Sequence, residues 1–121
     1  MKILILEDSE NRIEAFKKKL IDHEVTITDK PQQCIEYLKN NTYDYIFLDH
    51  DMWIIFEQPG KGNGFEVAKW ISENKDKCPR HILIHTMNNI GAAAMMRVLG
   101  NNNIRASYIP LLWEKLQNYT L

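Results

Sequence analysis

Polar residues able to do chemistry stand in three places along this chain, each time directly after an apolar run. Glu7-Asp8 follow Lys2 to Leu6, and Asp49-His50-Asp51 follow Tyr43 to Leu48. His85-Thr86, with Asn88 just beyond, end the stretch that begins at His81. Carboxylates brought together repel one another, and their ionised forms are costly unless a cation neutralises them. Oxygen donors at this density suit a hard ion, magnesium or manganese, and imidazole nearby tilts the choice toward manganese. This makes Glu7, Asp8, Asp49 and Asp51 the candidate metal ligands. A metal with open positions can hold a phosphate, while Thr86 and the backbone amides near Asn88 bind its oxygens. Imidazole titrates close to neutral pH, so His50 and His85 are the candidates for general acid or base.

Each residue alone has a plainer reading. Glu7 or Asp8 can cap a helix, Asn88 is an N-cap residue by type, and His85 can be a structural histidine. Asp49 is harder to explain away, because an unpaired carboxylate at the end of an apolar strand is expensive. The co-occurrence of all of them at one edge is what singles out a site. One objection stands: strict strand alternation puts the neighbours His85 and Thr86 on opposite sides, and only a bend at the strand end brings both to one place.

The elements that must position these residues follow from periodicity. Short apolar runs alternate with helical spacing five times along the chain. Lys2 to Leu6 is a strand buried on both faces, followed by a helix carrying Ile13, Phe16, Leu20 and Ile21 inward and Lys17, Lys18 and Lys19 mainly outward. Val25 to Thr28 is the second strand. Asp29 as N-cap and Pro31 in the first turn open the next helix, whose apolar side is Cys34, Ile35 and Leu38 and which ends at Asn40-Asn41. Tyr43 to Leu48, the most apolar strand, belongs in the centre of the sheet. A long connection from His50 to Asn63 contains Trp53, Ile54, Ile55 and Phe56, a lid over the site or a packed loop. The third helix carries Phe65, Val67, Ala68 and Ile71, with Trp70 on its flank, and Cys78-Pro79 breaks the chain before a strand from His81 to Thr86. Asn88 caps a helix through Ala92, Met95, Met96 and Leu99, closed by Gly100; Ile104 to Ile109 is the last strand, and Pro110 starts a final helix. Five strand–helix units predict a parallel sheet with helices on both faces, and in such sheets ligands bind beyond the carboxyl ends of the strands.

Composition bounds the partners. The 121 residues suit one domain, 1–121, and 45% of them are apolar, enough for a two-sided core. Fifteen basic residues against sixteen acidic ones leave nothing global to attract DNA or an anionic membrane. No apolar run approaches the roughly 20 residues that span a bilayer, and the first six residues are too short for a secretory signal. Cys34 and Cys78 lack metal-like or redox-like spacing and read as reduced thiols, so a cytoplasmic protein is expected.

At these residues the chain resembles a response-regulator receiver domain over nearly its full length. Glu7-Asp8 match that family's metal-binding acidic pair, the last residue of Asp44-Tyr45-Ile46-Phe47-Leu48-Asp49 its phosphorylated aspartate, and Asp51 the position whose backbone carbonyl contacts the metal. Thr86 matches its switch residue and Gly64-Phe65-Glu66 the start of its third helix. The resemblance implies a flavodoxin-like α/β sandwich, a five-stranded parallel sheet in the order 2-1-3-4-5. The family's lysine at the end of the fifth strand is missing from Ser107-Tyr108-Ile109-Pro110, and the connection after Asp49 is longer than usual.

With His50 inside Leu48-Asp49-His50-Asp51, and with His85-Thr86-Met87-Asn88, the chain is similar to a receiver-derived group predicted to process cyclic phosphates. That implies metal-dependent hydrolysis or ring opening of a cyclic phosphate on a nucleotide or RNA end. The alternatives are a receiver phosphorylated on Asp49 and a degenerate receiver that binds a partner. A homodimer through the last strand and helix is a further expectation.

Overall fold

The computed structural model describes residues 1–49, 64–86 and 89–109. Five strands, β1 (Lys2–Leu6), β2 (Glu24–Thr28), β3 (Tyr45–Leu48), β4 (His81–Ile84) and β5 (Ser107–Tyr108), form one parallel sheet in the order 2-1-3-4-5. The helices among the described residues are α1 (Glu10–Lys19), α2 (Pro31–Asn40), α3 (Gly64–Glu73) and α4 (Asn89–Gly100), with a short 3-10 turn at Lys75–Lys77. The expected doubly wound, flavodoxin-like architecture is what the chain adopts, with β3 in the centre.

Alternation along the strands divides the core in two. Ile3 and Ile5 of β1, Phe47 of β3 and Leu83 of β4 point to the face covered by Phe16 and Leu20 from the first helical segment. Leu4, Leu6, Ile46, Leu48, Ile82 and Ile84 point the other way, onto Cys34, Ile35 and Leu38 of α2, Val67, Ala68 and Ile71 of α3, and Ala92, Met95 and Leu99 of α4. Strands buried on both faces have no room for a polar residue, which explains the unbroken apolar runs. Each fully buried leucine, isoleucine or phenylalanine here contributes about 1.5–3 kcal/mol by leaving water. Both cysteines are free thiols, Cys34 fully buried and Cys78 half-buried.

Several boundaries differ from the periodicity reading. Ile21, expected inward, is 78% exposed, because α1 ends at Lys19 and the turn beyond it carries Ile21 off the apolar stripe. Asp29 is not the cap of α2. Lys30 occupies that position with extended backbone and no side-chain cap, and Pro31 begins the helix. The Lys30 amide instead donates to the Thr28 hydroxyl at 3.1 Å, so the turn is held from the strand side. β5 is two residues long rather than six. Its ladder is extended by the Ile109 amide donating to the Ile84 carbonyl at 2.8 Å, and the Tyr108 hydroxyl donates to Asn89 at 2.7 Å. Gly100 lies in the last turn of α4, and the reversal after it falls on Asn103, whose φ of 61° is a left-handed conformation that asparagine tolerates. The 50–63 connection, the Asn88 cap and the helix expected from Pro110 lie outside the described residues.

Candidate functional site

The register of the sheet dictates which polar residues meet. Ile5 of β1 is level with Phe47 of β3, and Phe47 is level with Leu83 of β4. All three point to the α1 face, so the next positions of the same parity are Glu7, Asp49 and His85. The ladder continues one rung past each strand to fix them. The Glu7 amide donates to Thr28 at 3.0 Å, the Asp49 amide to Leu6 at 3.2 Å, and the His85 amide to Leu48 at 3.0 Å. The three side chains form a layer at the carboxyl end of the sheet, and one ligand atom from each lies within 4.8 Å of the others. All are buried, at 0%, 2% and 1% exposure.

Within that layer Glu7 is held from three directions. Its Oε2 accepts the backbone amides of Asp8 at 3.0 Å and Ser9 at 3.2 Å, and its Oε1 lies 3.1 Å from His85 Nε2. The His85 ring packs edge-on to Phe16, with centroids 5.4 Å apart, and also against Phe47. Its Nδ1 is buried without a hydrogen-bond partner. A buried lone pair left unpaired costs less than a buried N–H left unpaired, so the favoured tautomer donates from Nε2 to Glu7 and leaves Nδ1 as an acceptor.

The two carboxyls titrate in opposite directions. Burial alone would raise Glu7, but the hydrogen bond and electrostatic attraction of His85, a hydrogen bond with Asp49 and the Ser9 amide outweigh it and bring Glu7 down to about 2. Asp49 is pushed up to about 8 by burial and then by the Glu7 charge, against the opposing pull of Arg12 and a hydrogen bond from Thr86. Glu7 therefore carries the negative charge and Asp49 the proton between them. A divalent cation among these oxygens would favour the ionised form of both carboxyls. The donor set of two carboxylates with an imidazole beside them fits such an ion.

Other expected residues fall into place unevenly. Thr86 is buried and hydrogen-bonds Asp49, while His85 meets Glu7. The alternation objection therefore dissolves: β4 ends at Ile84, both residues lie past it, and they reach different carboxyls. Asp8 is half-buried, of the opposite parity, and outside the three-residue group. His50, Asp51 and Asn88 lie outside the described residues. Arg12, which the motif reading passed over, is part of the site. Its Nη1 is 3.6 Å from Glu7 Oε1 and 3.6 Å from Asp49 Oδ2. Only its position in the first turn of the helix that follows Glu7-Asp8 could have pointed to it.

A 2-1-3-4-5 parallel sheet with a carboxylate after β1, an aspartate after β3 and a buried threonine after β4 defines a receiver domain. The family model described as "Cyclic-phosphate processing Receiver domain" matches residues 2–101, and the chain belongs to that family. No curated protein matches it in sequence. Among solved structures it is similar to the Mn(2+)-bound form of response regulator Rcp1, with a TM-score of 0.72 and 21% identity over 96% of this chain and 88% of that one. It is similar also to the phosphorylated cyanobacterial phytochrome response regulator RcpA, with a TM-score of 0.73 and 18% identity over 97% and 89%. A third is the response regulator TrrA of Thermotoga maritima in complex with Mg(2+)-BeF, with a TM-score of 0.69 and 21% identity over 98% and 95%. At these identities the likeness establishes the fold. No helix among the described residues is long and apolar enough to cross a membrane.

Proposed function

We propose that this receiver domain processes cyclic phosphates, on nucleotides or RNA ends, by metal-dependent hydrolysis or ring opening. The observation that carries the reading is the buried layer of Glu7, Asp49 and His85, in which an imidazole is hydrogen-bonded to one of the two carboxylates. The description of the matched family supports it.

In this reading Glu7 and Asp49 hold a magnesium or manganese ion, with Asp8 and Asp51 completing the shell. The metal supplies Lewis acidity at the phosphoryl oxygens. Opening the ring adds water at phosphorus, breaks one P–O ester bond, and returns a proton to the released hydroxyl. His85 or His50 carries that proton. On His85, Nε2 is engaged by Glu7 and Nδ1 is buried, so for that residue the step requires the ring to turn toward the substrate. Thr86 and Asn88 bind non-bridging oxygens. The domain works in the cytoplasm as a single unit spanning 1–121, or as a homodimer through the last strand and the helix expected from Pro110.

Phosphorus NMR with magnesium or manganese and a panel of cyclic phosphates tests this. Conversion that requires metal and is lost in Asp49→Ala supports the enzyme; no conversion of any member of the panel, in a protein that binds metal, counts against it. A second reading has its own observation, the Thr86 hydroxyl bonded to the Asp49 carboxyl, as phosphoryl transfer to Asp49 would use. Acetyl phosphate in the same tubes would then give an acyl-phosphate signal.

A further inference from the structure

We infer that Arg12 is the phosphate-binding cation of this site, released from the two carboxylates when a metal takes its place. The inference rests on the metal-and-phosphate reading above and assigns a residue that reading does not use. A phosphate held in this site would carry negative charge that a neighbouring cation can offset, and the end of β5, Ser107-Tyr108-Ile109, carries no basic residue. Arg12 is the only described side-chain cation within 4 Å of Asp49. It arrives from α1, the helix lying over the face to which Glu7, Asp49 and His85 point.

The geometry of the contact suits a movable counter-ion. At 3.6 Å to each carboxyl, Nη1 is at ion-pair distance from both without the close approach of a bidentate Arg–carboxylate pair. The guanidinium faces Glu7 Oε1 and Asp49 Oδ2, oxygens a dication would also claim. A dication there repels the guanidinium and neutralises the charge that held it. Arg12 is 24% exposed on its side chain, while its carboxyl partners are 0% and 3% exposed. Part of the arginine side chain therefore meets solvent, the side from which a phosphate could approach, and paired phosphate oxygens match the planar fork. Its place at the start of α1 favours an anion in the same spot, because the helix dipole is positive there.

Manganese affinity and the affinity of the manganese-loaded protein for inorganic phosphate, both by titration calorimetry, separate the roles. Arg12→Ala should bind manganese as tightly as the wild type or several-fold more tightly, and bind phosphate about ten- to a hundredfold more weakly. Arg12→Lys should recover part of the phosphate affinity, since charge without the fork is restored. Unchanged phosphate affinity in Arg12→Ala overturns the inference. So does loss of manganese in both variants with the fold intact by circular dichroism, because Arg12 would then only shape the carboxylates. Absence of phosphate binding in the manganese-loaded wild type is a different failure, that of the underlying metal-and-phosphate reading, and the inference falls with it.

Discussion

His85 Nε2 lies 3.1 Å from Glu7 Oε1, joining the ends of β4 and β1 across the intervening β3, with both side chains buried. The pair matters twice over. It holds Glu7 ionised in a buried place, and it orients the carboxylate toward Asp49. Outer partners of metal-binding carboxylates usually govern affinity as well as geometry.

Replacing His85 by Ala leaves the buried Glu7 carboxylate short of a donor and opens space beside Phe16. We expect a loss of about 1–3 kcal/mol in urea unfolding and a fall in manganese affinity of about tenfold or more. Wild-type values on both measurements would remove His85 from the site's framework.

Metal-free stability should depend on Asp49 in a defined direction. Its carboxyl is raised from 3.8 to about 8, so the fold favours the protonated form. That contribution is fully present below the unfolded value and is lost as pH rises through the folded one. Stability should therefore decline between about pH 4 and 8, by on the order of 1 kcal/mol per unit at most. Glu7 acts oppositely: its stabilisation is present above 4.5 and is lost as pH falls toward about 2. Asp49→Asn keeps the shape without the charge, so its advantage over the wild type in chemical denaturation should grow with pH across that upper window. An advantage independent of pH would contradict the account.

Metal binding should release the Asp49 proton. Below pH 8 the affinity for manganese should rise about tenfold per pH unit and then level off, with close to one proton taken up by buffer in calorimetry. A flat profile from pH 6 to 8 would mean that Asp49 is already ionised in the metal-free protein.

Phe16 is fully buried and touches Phe47, with centroids 5.2 Å apart, as well as His85. Phe16→Ala should cost about 3–5 kcal/mol, and Phe16→Leu distinctly less. Both should weaken metal binding beyond what a stability loss explains if the ring also fixes the imidazole. Thermal melts with and without manganese separate the two effects.

Much of this protein was legible in order of residues alone. Short unbroken apolar runs alternating with helical spacing fit strands covered on both faces, so the parallel sheet and the polar residues at its carboxyl edge follow from hydrophobic patterning, while the strand order came from the family resemblance. Patterning is weaker where few contacts decide the matter. β5 shrank to two residues, Asp29 lost the cap to Lys30, and Ile21 left the apolar face, because helix ends and edge strands depend on local hydrogen bonds more than on burial.

What the tertiary structure decided is which members of the polar set meet. Inter-strand register placed Ile5, Phe47 and Leu83 level, and the two-residue period of a strand then selected Glu7, Asp49 and His85 while turning Asp8 away. Arg12 entered because α1 lies over that face and brings its first turn to the two carboxylates. No spacing in the chain encodes that pairing, since it arises only when a helix and two strands from separate stretches of sequence are packed together.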